Sequence, residues 1–316
     1  MRYGMPYMGS KNQIAKWVVN HIPASDYLYD LFGGGGAITH CACESGKFKH
    51  VIYNEKNKIV CNAFYTAIRG GYALENRWIS REEFNALKDK DPYVAICFSF
   101  GNDLKSYCYS KKLEAYKKAC HYAVCFNDFS EGKKLGLDLS FIKGKIIYER
   151  RRSLDNELPD HYPELKMLFK FPKRNCDNKV LLNLEALNRL ESLERLQNLE
   201  SLERLQNLES LERLQNLDYR RVRIKNNSVI YCDPPYKNTS KYTIDFNHTD
   251  FYSWCNKQKQ LVIISEYQMP ENFICIAQKE KISLKSKDDN STKKTEKLFV
   301  PKHQYQMYLD AMAVLN

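Results

Sequence analysis

Asp26-Tyr27-Leu28-Tyr29-Asp30-Leu31-Phe32-Gly33-Gly34-Gly35-Gly36 decides the fold. The first seven residues read as a strand, and the glycines supply the backbone freedom to turn out of it. Ala37 to about Gly46 then reads as a helix, His50 to Tyr53 as a second strand, and Lys58 to Ile68 as a second helix. A strand, a helix and a strand in short alternation imply parallel strands, and so an α/β fold. Ahead of this unit, Gln13 to Ile22 predicts a short helix with Ile14, Trp17, Val18 and Ile22 on one face.

The same pattern resumes far downstream. Val229-Ile230-Tyr231-Cys232 is a buried-strand run, and Asp233-Pro234-Pro235-Tyr236 follows it. Neither proline can donate an N–H to a sheet, so the strand ends there. A carboxylate and an aromatic ring therefore project from a strand tip, where ligands bind in open α/β sheets. Asp250 to Lys257 reads as a helix and Leu261 to Ser265 as a buried strand. Ile274 to Leu284 and Lys297 to Val300 read as a closing antiparallel pair.

Composition narrows the class. The chain has 316 residues, enough for two domains, and a formal net charge of +11, which favours a polyanionic partner. The excess is concentrated: residues 104–175 hold 16 Lys and Arg against nine Asp and Glu. Eleven cysteines form no Cys-x-x-Cys pair, and several, such as Cys97, Cys125 and Cys232, lie inside apolar runs as reduced core thiols do. Neither a disulfide framework nor a metal site is expected. Arg2 leads into Tyr, Gly and Met rather than an apolar run, and no stretch of 18 apolar residues occurs. The expectation is a cytoplasmic protein with no membrane partner.

Between the two α/β halves lies different material. Ser80-Arg81-Glu82-Glu83 opens a helix with a capping box, and Val94 to Phe100 reads as a strand. Basic, tyrosine-rich segments follow, carrying Tyr107, Tyr109, Tyr116 and Tyr122. Residues 191–217 are three copies of Glu-Ser-Leu-Glu-Arg-Leu-Gln-Asn-Leu, with leucine at every third position from Leu184. That stripe drifts round a helix and is not a heptad. Its residue types favour helix, and a period of nine is far below the about 20–29 residues of leucine-rich solenoids. The expected organisation is one α/β domain from 1–69 and 218–316, a recognition insertion at 70–180, and a repeat insertion at 181–217. Seven Glu against four Arg in the last argue against DNA contact there.

Three stretches carry chemistry. The glycine run after a strand and before a helix lets backbone approach a ligand beside a helix N-terminus. It is neither Gly-x-Gly-x-x-Gly in a dinucleotide setting nor a phosphate loop, because no Lys-Ser/Thr follows. Glu55 ends the next strand, the place for a carboxylate that grips ribose hydroxyls. Tyr7-Met8-Gly9-Ser10-Lys11 precedes the first helix, so Lys11 is either an exposed helix-entry lysine or a cation in the cleft between strand tips.

Together these residues resemble the Dam-like, alpha-type N6-adenine DNA methyltransferases. Tyr7 to Lys11 is similar to that family's amino-terminal motif, Phe32, Gly34 and Gly36 to its Phe-x-Gly-x-Gly loop, Asn54-Glu55 to its acidic ribose pair, and Asp233 to Tyr236 to its catalytic motif. Asp30 stands where Glu is usual and Glu55 where Asp is usual. The resemblance covers about residues 5–68 and 219–300 and implies a Rossmann-like methyltransferase sheet.

It also implies S-adenosyl-L-methionine as cofactor, held by Tyr7, Lys11, Asp30, Phe32, Gly34, Gly36 and Glu55, with no metal. Asp233, Pro234, Pro235 and Tyr236 would grip a flipped adenine of double-stranded DNA at a specific sequence. Lys111, Lys112, Lys117, Lys118, Arg150, Arg151 and Arg152 are the candidate phosphate contacts of the basic insertion. A restriction endonuclease partner is not inferable from the chain. Methylation of cytosine N4, RNA adenine or a glutamine amide is the alternative chemistry. A non-catalytic protein that binds through the leucine repeat is the alternative class.

Overall fold

The computed structural model describes residues 3–72, 75–163, 165, 208, 210–236, 246–282 and 293–313. Most of the nonapeptide repeat, the leucine stripe from 184 and the basic residues 166–175 lie outside the described residues, as do 283–284 of the expected hairpin. The chain divides into two compact units, Met1–Gly71 with Ser201–Asn316, and Tyr72–Glu200.

The first unit is built on a seven-stranded sheet. Its elements are α1 (Ala15–Asn20), β1 (Ser25–Asp30), α2 (Ala37–Glu44), β2 (Phe48–Asn54), α3 (Lys58–Ile68), β3 (Leu211–Gln215), β4 (Ser228–Cys232), α9 (His248–Asn256), β5 (Leu261–Glu266), β6 (Phe273–Ile282), β7 (Lys293–Pro301) and α10 (Tyr305–Ala313). The strand order is β3-β2-β1-β4-β5-β7-β6. The first five strands are parallel, and β7 pairs antiparallel with both β5 and β6. The mixed sheet is consistent with the expected methyltransferase fold.

The continuous apolar runs follow from burial on both faces. Leu28, Val229, Tyr231, Leu261 and Ile263 pack on one side with Val18, Ile38 and Ala42 of α1 and α2. Tyr29, Ile230, Cys232, Val262 and Ile264 pack on the other with Phe251 and Cys255 of α9. Chain connections depart in opposite directions from β1 and β4, which are neighbours with Asp30 opposite Tyr231. That is the topological switch point, so the glycine loop and the Asp-Pro-Pro-Tyr corner emerge side by side.

The third copy of the nonapeptide is not helical. Leu211–Gln215 is a parallel edge strand on β2. Helix propensity is worth only tenths of a kcal/mol per residue, and pairing with an open sheet edge overrides it. The copy's last two residues brace the site. Asn216 Nδ2 donates to the carbonyls of Glu55 and Lys56, and Leu217 exchanges both backbone groups with the Asn54 amide.

The second unit contains α4 (Arg81–Leu87), α5 (Pro92–Cys97), α6 (Glu114–Phe126), α7 (Ser130–Lys134) and α8 (Ile147–His161). The Ser80–Glu83 capping box forms as expected. Val94–Phe100, expected as a strand, is instead mostly the helix α5. Asp91 caps it by accepting from Tyr93 and Val94 N–H, and Pro92 sits at its first position. Residues 93–97 are all buried, so the run carried no period to separate helix from strand.

Candidate active site

The loop after β1 is held in shape from three sides. Gly34 and Gly36 have φ of +48° and +71°, backbone that favours glycine. A Cβ on Gly33 would enter the Tyr53 ring, and one on Gly36 the Phe64 ring. Tyr53 also donates its hydroxyl to the Gly34 carbonyl at 2.8 Å. Glu55 fastens the loop to the next strand: Oε2 accepts from Gly34 N–H at 2.9 Å, and Oε1 from Asn57 N–H at 2.7 Å. Tyr7 lies beside Gly34, and its ring would be 3.1 Å from a Cβ there. Phe32 makes edge contacts with Phe246 and Phe251 and a tilted one with Tyr219.

Asp30 sits under this loop, buried. Its Oδ2 accepts from Thr39 Oγ1 at 2.7 Å, whereas its Oδ1 has no hydrogen-bond partner. Burial raises its pKa to about 7; the Thr39 hydroxyl pulls the other way, and the negative charges of Asp233 and Glu55 add to the rise. A buried carboxylate with one unused oxygen fits a ligand that brings an N–H donor, above all a cationic amine. Asp30, Phe32, Gly34, Tyr7, Lys11, Glu55 and Asp233 line one cleft.

At the β4 tip, Lys11 is buried in the cleft rather than exposed at a helix entry. Its Nζ is 2.9 Å from Asp233 Oδ1, 3.5 Å from Glu296 Oε1 and 4.6 Å from the centre of the Tyr236 ring. Burial raises the pKa of Asp233; the Lys11 ammonium counters it, and the Glu296 carboxylate adds to it. Pro234 is buried, and the Pro235 carbonyl accepts from His248 Nε2 at 2.9 Å, which fixes the turn from α9. Tyr236 donates its hydroxyl to Glu296, and Tyr267 meets its ring edge-on at 4.6 Å.

Glu296 was not singled out in the sequence. The signal was parity: Glu296, Leu298 and Val300 alternate along β7 and all are buried, so the acid lies on a core-facing row.

The basic insertion divides. Lys111, Lys112 and Arg152 are exposed. Lys118 pairs with Glu131 at 3.3 Å, and Arg151 lies 3.9 Å from Asp155. Arg150 is corrected: it is buried, and its guanidinium donates to the carbonyls of Val124, Cys125, Gly144 and Lys145. These bonds tie α6 to the start of α8 and leave a DNA phosphate nothing to meet. Lys117 is also corrected, being buried with Nζ 6.0 Å from the Tyr109 ring. Tyr107 and Tyr109 are buried too, in an aromatic cluster where Trp78 stacks on Tyr109 and Tyr107 donates to the Ile79 carbonyl.

Among the described residues no group of His, Cys, Asp and Glu could hold a metal ion, and no helix is long and apolar enough to cross a membrane. Residues 7–134 match the family model of the D12 class N6 adenine-specific DNA methyltransferases. The match contains Lys11, the glycine loop and Glu55 and ends before Asp233, so the Asp-Pro-Pro-Tyr corner rests on its geometry. No curated protein matches the chain.

Proposed function

We propose that this chain, a transferase of the D12 class N6 adenine-specific DNA methyltransferase family over residues 7–134, methylates adenine N6 in duplex DNA with S-adenosylmethionine as donor. The observation that carries the reading is the convergence of Asp30 and Asp233 on one cleft at the switch point, one with an unused buried oxygen. When bound, S-adenosylmethionine supplies an electrophilic methyl carbon on a sulfonium. Asp30 Oδ1 would accept from its amino group, Glu55 would hold the ribose side, and the Gly34 backbone, without a Cβ, would let it approach.

Asp233 and the Pro234 carbonyl would accept the two hydrogens of the adenine amine. That holds the nitrogen pyramidal, with its lone pair aimed at the methyl carbon. Positive charge grows on the nitrogen as the methyl arrives, and a carboxylate already in place stabilises it without reorganisation. As the carbon–nitrogen bond forms, the methyl carbon–sulfur bond would break with its electron pair going to sulfur, leaving the neutral thioether S-adenosylhomocysteine. The proton would then pass from the nitrogen to solvent by way of the Asp233 carboxylate. The base must be extruded from the duplex, at a cost of a few kcal/mol. Stacking on Tyr236 would offset about 1–3 kcal/mol of it. Expression in a methylation-free host followed by mapping of modified bases tests the reading. N6-methyladenine in one sequence context supports it; unmodified DNA refutes it.

Two further outcomes are expected. The Asp30 carboxylate must be ionised to hold a cationic amine, and its pKa in the free protein is about 7. Below that pH, binding must expel a proton, so S-adenosylmethionine affinity should weaken by roughly tenfold per pH unit. Calorimetry between pH 5.5 and 8 reads this, and Asp30→Asn should bind weakly with a flatter profile. Second, replacing Lys111, Lys112 and Arg152 together by Ala should reduce the slope of log affinity for DNA against log salt by about 2–3. An unchanged slope removes these residues from the phosphate contacts.

A further inference from the structure

We propose that Glu296 is a positioning residue for methyl transfer: by sharing the Lys11 ammonium with Asp233 and receiving the Tyr236 hydroxyl, it leaves the Asp233 oxygens a stronger acceptor for the target amine and fixes the Tyr236 ring. The inference rests on the reading of Asp233 as the group that meets that amine.

Buried beneath the Asp-Pro-Pro-Tyr corner, 1 % exposed, Glu296 belongs to β7, an element remote in sequence from that corner. A buried carboxylate is costly unless it is paired, and this one is paired twice within the site: with Lys11 Nζ at 3.5 Å and with the Tyr236 hydroxyl. Lys11 thus stands between two carboxylates. One ammonium against two acids leaves a net negative charge, which suits a nitrogen that turns cationic during the reaction. With a single acid, Lys11 would neutralise Asp233 and compete with the amine for its oxygens. The second acid draws part of the ammonium's hydrogen bonding away.

The same contact orients the ring. Tyr236 is held by its hydroxyl on Glu296, by the Tyr267 ring at its edge, and by Lys11 over its face. The groups facing the two carboxylates are Lys11 from the amino-terminal turn, Asp30 at the β1 end, Tyr231 and Tyr236 on β4 and its tip, and Tyr267 after β5; Lys279, the register partner of Glu296 on β6, is exposed. The Glu296 charge raises the pKa of Asp233. Its removal must therefore move Asp233 ionisation to lower pH while making Asp233 a weaker acceptor.

Glu296→Gln keeps the size and the hydrogen bonds and removes the charge. Single-turnover methyl transfer should fall by about 30-fold or more. S-adenosylmethionine affinity and thermal midpoint should stay near wild type, and the acid limb of the pH–rate profile should shift to lower pH. Glu296→Asp should recover part of the rate, and Tyr236→Phe, which loses only the hydroxyl donor, should lower the rate less than Glu296→Gln. An inactive wild-type protein refutes the methyltransferase reading itself. An active wild type with a Glu296→Gln variant of unchanged rate and pH profile overturns the role of Glu296 alone. A Glu296→Gln variant that loses rate only in proportion to lost folding, with Glu296→Asp no better, makes Glu296 a merely structural acid and equally overturns it.

Discussion

Asp233→Ala should lower methyl transfer by about 10²–10³-fold or more, the scale of losing one preorganised electrostatic partner of a transition state. The variant should fold, because Lys11 retains Glu296 as a partner and does not become an unpaired buried charge. S-adenosylmethionine affinity should change by less than about tenfold, since Asp30 and the glycine loop remain and the lost contact is one Coulomb interaction in a partly solvated cleft. Single-turnover rates with saturating donor, alongside calorimetric binding, separate the two. Wild-type rates in this variant would remove Asp233 from the chemistry. Equal losses in rate and in donor binding would make it a binding residue only.

Gly36→Ala should be the most damaging single change in the loop. Its φ of +71° is unfavourable for any residue with a Cβ, and that Cβ would lie within the Phe64 ring, which is fully buried and stacked on Tyr53. Backbone strain and overpacking together should destabilise the protein by about 3 kcal/mol. That should lower the melting midpoint by about 5–10 °C. Gly46→Ala is the internal control: its φ is +67°, but a Cβ there meets nothing within 4 Å. It should cost only the backbone part, about 1–2 kcal/mol. Equal effects at both glycines would show that the Phe64 overlap relaxes freely.

Where local pattern and burial agree, the sequence was readable. The strand, glycine run and helix from Asp26 to Glu44 form as expected, because apolar period and glycine placement point the same way. The sequence left Lys11 open between a helix-entry lysine and a cation in the cleft, and its long-range partner Asp233 decides between them. Long-range partners decided the rest. The copy Leu211–Gln215 has helix-forming residues, but an open edge of β2 takes it as a strand. Val94 to Cys97 is buried on every side, so its apolar run says nothing about period, and the Asp91-Pro92 start signal was the informative feature. Arg150 and Lys117 look like surface cations in sequence, and only the packing of α6 against its neighbours buries them. Glu296 needed strand parity on β7 to be read as a buried acid.

On the proposed function, the cleft lined by Asp30 and Asp233 would carry a methyl group to the exocyclic amine of adenine. The most direct test incubates the purified full chain with unmethylated duplex DNA and S-adenosylmethionine labelled in its methyl group. The DNA is then digested to nucleosides and the labelled species identified. Label in N6-methyldeoxyadenosine, lost in Asp233→Ala, is the predicted result. Label in N4-methyldeoxycytidine, or none in DNA while the donor binds, would contradict it.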